Sequence, residues 1–437
     1  MKVLKSLIVF LLLTLLIAPL DAEEPEKSAD TEKELVEIKE KMNQLQQQLA
    51  ELIAAKEKKE KADELKKLLE EATRLSTAKK KEEAGPGKKF RTGVRQQSGL
   101  NPNISLGGDF FAAVSSSKDD FISKQSSLSY GNNRYQLREI EISLIAPLDP
   151  FTRGKTHISF TEDQLCVEEA YLEWLNLPAN LNLKMGLFNA EYGILNRYHD
   201  HALPQFDRPK ALVNNFSNAT VGGFGVAGNF LLPRLLFADA SSFDVSVIRG
   251  GNDYSFTGMG KYNLLYVGHF KNYYDINRDT YFEWSLSGVA GKNDPAENYM
   301  SYVGDLAFTI KWAPIGRAKY STIDWKTELL YNRRETAAGN INSKGFYTSL
   351  QNKLNARYWI SLRGGFSEIP FDIEQYEWDV TACLDVWQSE FVFFRFQYQY
   401  SEREFTDYLN FAGPYPDEHT LLFQVNWAMG PHKHETY

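Results

Sequence analysis

The feature that most constrains this chain is a two-residue alternation of apolar and polar side chains that starts after Asn101 and continues nearly to the end. Phe282, Trp284 and Leu286 alternate with Glu283, Ser285 and Ser287, and Ile323, Trp325 and Leu329 share a register opposed by Asp324, Lys326 and Glu328. Trp378, Val380, Ala382, Leu384 and Val386 oppose Asp379, Thr381 and Asp385, while Val392, Phe394, Phe396 and Tyr398 oppose Arg395, Gln397 and Gln399. That period belongs to strands with two unlike faces. Candidate strands fall near residues 104–114, 135–146, 153–162, 164–175, 181–189, 219–231, 243–249, 259–271, 280–290, 301–312, 319–332, 344–353, 356–366, 377–388, 390–402 and 419–429. About sixteen antiparallel strands close into a barrel wide enough for an aqueous interior. The 153–175 region changes parity at Glu168 and Glu169, as a bulge or a turn would make it do.

A soluble sandwich shows the same alternation, so the choice needs other features. Lys2 and Lys5 precede an apolar run from Leu7 to Ala18, the pattern of an export signal expected over residues 1–22. The run is shorter than the roughly 20 residues a spanning helix needs, and no later segment approaches that length. An exported chain of this kind enters a membrane only as a closed barrel. Aromatics at expected strand ends, Tyr273, Tyr274, Tyr358, Trp359 and Tyr398, fit an interfacial belt. The fold class expected is all-β, a transmembrane antiparallel barrel over 101–437 in an outer membrane, with a helical segment before it.

That helical segment spans 23–76. Leu35, Ile38, Met42, Leu45, Leu49 and Leu52 recur at spacings of three and four, a heptad seam broken at Lys56 and Lys59. Leucine at a with Ile or Leu at d favours three or four strands over two, so a periplasmic coiled coil and a homotrimer are expected; a lone amphipathic helix against the barrel is the alternative. Residues 77–100, with Gly85-Pro86-Gly87, read as a linker.

The formal charge of −8 offers no basic face for nucleic acid. Cys166 and Cys383 are too few for a disulfide scaffold or a paired zinc motif, although one bridge between them is conceivable. No G-x-S-x-G, H-E-x-x-H or P-loop is present, so neither catalysis nor a cofactor is expected. Gly223 to Gly228 matches G-x-G-x-x-G but sits within a candidate strand with no helix after it.

Glu169-Ala170-Tyr171-Leu172-Glu173-Trp174, followed by Leu181, Leu183, Gly186, Phe188, Tyr192 and Gly193, resembles a passage of the phosphate-selective porin family. The resemblance implies a coiled coil ahead of a sixteen-stranded trimeric barrel, and a diffusion channel for small solutes or ions. It does not carry anion selectivity with it, because from residue 100 onward the chain has about ten more acidic than basic side chains. Lumen-facing candidates of both signs are Glu139, Glu141, Lys184, Lys311, Asp324, Lys326, Glu328, Arg363, Asp379, Asp385 and Arg395.

The longest gap between strands, residues 190–218, is the candidate constriction, with Arg197, Asp200, Asp207, Arg208 and Lys210 setting the field across it. The alternative is a surface loop that never enters the lumen. His199, Asp200 and His201, with His432 and His434 in the tail, are weak metal candidates, because an irregular loop does not by itself put two imidazoles on one site. No metal is therefore expected. A structural or adhesive barrel tethered by the periplasmic helix is the competing function.

Overall fold

The computed structural model describes residues 102–430 apart from 117–133, 163, 217–219, 252–253, 259–262, 297, 405–406, 409–410 and 413–416. The signal segment, heptad helix and linker expected over 1–100, and the tail histidines, lie outside the described residues.

Sixteen strands close into one antiparallel barrel. In chain order they are β1 (Asn103–Ser115), β2 (Arg134–Pro147), β3 (Thr152–Phe160), β4 (Leu165–Leu177), β5 (Leu181–Asn189), β6 (Gly222–Leu232), β7 (Ala240–Arg249), β8 (Leu264–Asn277), β9 (Thr280–Lys292), β10 (Met300–Trp312), β11 (Thr322–Thr336), β12 (Gly339–Lys353), β13 (Tyr358–Ile369), β14 (Asp372–Trp387), β15 (Val392–Glu404) and β16 (Glu418–Met429). Each pairs with its neighbours in sequence, and β1 closes the cylinder on β16 from Leu106↔Met429 to Ser115↔Thr420. Closure leaves no unpaired edge, which a lipid environment requires. A two-residue ladder, 407–408 with 411–412, stands apart from the barrel.

The alternation reads directly onto the two faces. Ser285, Lys326, Glu328, Asp379, Gln397 and Gln424 are buried inside, whereas Leu286, Trp325, Leu329, Phe346, Leu362, Val380, Phe396 and Leu421 are exposed outside. An outer surface this apolar exceeds what soluble monomers present to water. Among the described residues, no helix is long and apolar enough to cross a membrane.

Among the described residues, register shifts interrupt five of the ladders, and two of them bear on the interior charges. Between β1 and β2, Asp109 pairs with Glu139 and Phe110 with Leu137, which leaves Arg138 as the extra residue. Between β3 and β4, His157 pairs with Glu169 and Ile158 with Val167, so the parity change at Glu168 is a bulge, not a turn. A bulge lets two consecutive side chains face the same way: Arg138 and Glu139 are both buried inside the barrel.

Other details differ from expectation. Trp359 does not join an outer belt; it lines an interior cavity and packs on Trp387 at 4.7 Å between ring centroids. Cys166 and Cys383 are both free thiols. The Gly223–Gly228 stretch lies in β6, where a Cβ on Gly225 would meet the backbone of Ile248, so glycine there serves close strand packing.

Candidate functional site

In the connection from β5 to β6, residues 190–221, most of the described side chains are buried, and they are buried against the inward faces of the barrel strands. The loop begins with Gly193, whose N–H donates to Ser287 Oγ of β9 at 2.9 Å. The Ile194 and Leu195 amides then donate to Glu328 Oε1 of β11 at 2.8 and 3.2 Å, and the Tyr347 hydroxyl donates to the same oxygen at 2.6 Å. Gly193 has φ of +52°, and a Cβ there would collide with a Glu328 carboxylate oxygen. Only glycine combines that backbone conformation with so close an approach.

Further along, the loop meets the opposite wall. His201 Nδ1 lies 3.0 Å from Glu139 of β2, and the His201 carbonyl accepts from Asn426 of β16 at 3.1 Å. Arg395 of β15 donates to the Leu203 carbonyl at 3.1 Å, and the Phe206 amide donates to Gln397 at 2.9 Å. A short helix, α1 (Lys210–Phe216), is wholly buried; Asn214 donates to Glu377 of β14 at 2.9 Å, and Asn215 accepts from Asn332 of β11 at 2.8 Å. The loop is thus bonded to strands on several sides of the lumen, and the surface-loop alternative does not describe it.

Its two faces differ. Tyr192, Leu195, Tyr198, Leu212 and Phe216 form one apolar cluster with inward-facing Val267, Val289, Val303 and Leu330 on β8 to β11. Over that quarter of the inner wall, loop side chains instead of water cover the apolar part, and the charged groups beside it are held by the loop, as Glu328 is, or by each other, as Asp324 and Lys326 are. The rest of the loop meets charge. Arg138 sits 3.5 Å from Asp109 and 3.3 Å from Asp200, with its guanidinium 4.2 Å from the centre of the Phe206 ring.

The five constriction candidates occupy distinct places. Arg197 is part-exposed and pairs with Glu191 at 2.6 Å. Asp200 bridges Arg138 and Arg208, and Arg208 also donates to the Leu195 carbonyl at 2.8 Å and to the Tyr198 carbonyl. Asp207 accepts from Arg363 at 2.6 Å, Gln397 at 2.9 Å and Gln399 at 3.1 Å. Burial alone would push the Asp207 carboxyl up, but the charges of Arg363 and Lys210 and the hydrogen bonds outweigh it and hold the group below the usual carboxylate range. Lys210 is buried at the start of α1.

The lumen-facing candidates also resolve into pairs. Arg363 bridges Asp207 and Asp379, Arg395 holds Asp385 at 2.7 Å, and Lys326 holds Asp324 at 2.8 Å. Glu139 and Glu141 face the loop histidines, and Glu328 anchors the loop start. Lys311 lines a cavity of about 330 Å³ with Tyr198, Leu203, Lys353, Trp359 and Trp387. Lys184, 4.8 Å from the centre of the Tyr171 ring, lines a second of about 200 Å³ with Arg153, Glu173, Glu191 and Arg197. Sequence reasoning missed Asp109, Arg138, Lys155, His157 and Glu169 as interior groups. The available signal was the adjacent pairs Arg138-Glu139 and Glu168-Glu169, each of which breaks a strand's alternation.

No family model matches the sequence. Over 206 residues the chain is 29% identical to an uncharacterized protein of Aquifex aeolicus, a match covering 41% of this chain and 43% of that one, so it spans less than half the relative's length. Among solved structures, the anion-selective porin from Comamonas acidovorans superposes with a TM-score of 0.53 at 8% identity, covering 76% of this chain and all of that one. The outer membrane channel DcaP of Acinetobacter baumannii gives 0.52 at 13% identity, covering 77% and 99%. The fold is that of the sixteen-stranded porin barrels.

Proposed function

We propose that this chain is an outer-membrane porin that admits small hydrophilic solutes or ions by passive diffusion, with residues 190–221 as its constriction. The observation that carries the reading is the inversion of the barrel: apolar side chains face outward, and charged and amide groups line an interior into which one long loop folds. In this reading lipid covers the outer face, and a solute passes wherever the loop leaves the wall uncovered, along the basic and aromatic cavity beside Lys311, Lys353, Trp359 and Trp387. Because Arg363, Arg395, Arg138 and Arg208 are each paired to carboxylates, the field at the loop is balanced, and charge preference is weak.

The likeness of residues 169–193 to the phosphate-selective porins and the heptads of residues 35–52 support a homotrimer with its N-terminal helix in the periplasm. The density of bonds between loop and wall favours one competing reading, a closed structural barrel. Swelling of liposomes containing the refolded protein separates the two. A porin gives swelling rates that fall with sugar size; a closed barrel gives the rate of empty liposomes for every sugar.

A further inference from the structure

One group of interior side chains has a chemistry that diffusion does not call for. Glu141 on β2, His157 on β3 and His199 in the inward loop each offer one ligand atom, and these atoms all lie within 4.8 Å of one another. The Glu141 carboxylate divides its oxygens between the two imidazoles: Oε1 is 2.8 Å from His157 Nδ1 and Oε2 is 3.1 Å from His199 Nδ1. All three residues are buried. Ligands at roughly 2.0–2.1 Å from a tetrahedral zinc ion are separated by about 3.3 Å, so the spacing found here is closed around an ion by small side-chain shifts.

The surroundings complete such a site. Glu168 Oε2 lies 2.6 Å from His199 Nδ1, placing a further carboxylate where a fourth ligand would be. Glu169 Oε2 stands 3.4 Å from His199 Nε2, the outer partner that fixes a metal-bound imidazole. His201 and Glu139 pair at 3.0 Å beside them. Four carboxylates thus converge on three histidines, with Lys155 at 3.7 Å from Glu169 as a nearby cation. The His157 and His199 rings are 4.6 Å apart between centroids, close enough that two imidazolium charges repel. One dication meets the same carboxylates without that repulsion. Two nitrogens with carboxylate oxygens suit zinc and its first-row neighbours, whereas magnesium and calcium take all-oxygen sets.

We propose that Glu141, His157 and His199 bind one zinc-class divalent cation, which ties the inward loop to the barrel wall. The two loop histidines do not make this site; the wall supplies two of its three ligands, Glu141 and His157, beside the bulge at Glu168. The assignment depends on this geometry and not on conduction, so a barrel that passes no solute would still bind the ion.

The experiment uses the full refolded chain in detergent, stripped with EDTA and titrated with zinc chloride by calorimetry. The assay is repeated in the presence of millimolar magnesium and calcium. The expected result is one zinc per chain, undisturbed by magnesium or calcium, unchanged in a double His432→Gln, His434→Gln variant, and weakened at least about tenfold in His157→Gln and Glu141→Gln. Zinc should also slow trypsin cleavage within 197–210. No stoichiometric uptake, or uptake lost with the tail histidines and kept in His157→Gln, overturns the proposal. Should the buried variants fail to refold, the tail variant decides alone, because uptake at one per chain without His432 and His434 supports the lumen site and its loss refutes it.

Discussion

Asp207 in the inward loop and Arg363 on β13 form a buried ion pair in which Nη2 donates to Oδ2 at 2.6 Å and Nη1 donates to the Asp207 carbonyl at 2.7 Å. Arg363 also reaches Asp379 at 3.1 Å, so one guanidinium joins loop, β13 and β14. Breaking a buried pair outright costs about 3–5 kcal/mol; with Asp207 gone, Asp379 still neutralises Arg363, so the loss is smaller and falls on the tie between loop and wall. Asp207→Asn should therefore loosen the loop without opening the barrel. Trypsin should cut faster after Lys210, while the folded barrel keeps its heat-modifiable mobility in SDS gels. Equal cleavage rates in variant and wild type would show that the pair does not hold the loop.

The same carboxyl predicts an acid transition. Its pKa in the folded protein is depressed below the ordinary value near 3.8, so the pair contributes stability above that pH and loses it as pH falls through the lower folded value. Current noise from loop motion should rise below about pH 4, and the Asp207→Asn variant should show raised noise already at neutral pH with a smaller acid-dependent increment. An unchanged increment in that variant would assign the transition to other groups.

Gly193 tests the entry to the loop. An alanine there must hold φ of +52° and bring its Cβ against the Glu328 carboxylate. The backbone alone costs roughly 1–2 kcal/mol, and displacing Glu328 weakens its bonds to Ile194, Leu195 and Tyr347. Gly193→Ala should lower the midpoint of thermal unfolding and raise hydrogen exchange at residues 194–198. Exchange rates equal to wild type would mean that the loop start tolerates a shift.

The outer face can be tested separately from the lumen. Leu362, near the middle of β13, is 56% exposed and points away from the interior. Leu362→Arg should cost about 2–4 kcal/mol for folding into a lipid bilayer, read from urea titrations in liposomes. A value within about 0.5 kcal/mol of wild type, as expected for a surface change in water, would argue against lipid contact at this position.

Much of the barrel was legible because each strand must satisfy two solvents at once, and the alternation in β9, β11, β14, β15 and β16 records that demand. Strand ends were less visible. β12 begins at Gly339, about five residues earlier than alternation suggests, because the added residues, such as Asn340 and Asn342, extend a hairpin with β11 whose ladder needs no apolar face. The length of the β5–β6 connection marked it as exceptional, but its partners did not show. Asp207 meets Arg363 across 156 residues and Ile194 meets Glu328 across 134, and no local pattern encodes contacts of that range. The interior aromatic Trp359 was misread for a related reason: near a strand end, an indole serves an outer belt or an inner cavity equally well.

The most direct test of the channel reading is single-channel recording of the refolded full chain in planar bilayers, with the reversal potential measured across a salt gradient. An open trimeric porin gives stepwise insertion in groups of three levels and a reversal potential close to zero, as balanced pairs at the loop require. Stable, heat-modifiable barrels that insert without conducting would contradict it and leave a closed structural barrel in its place.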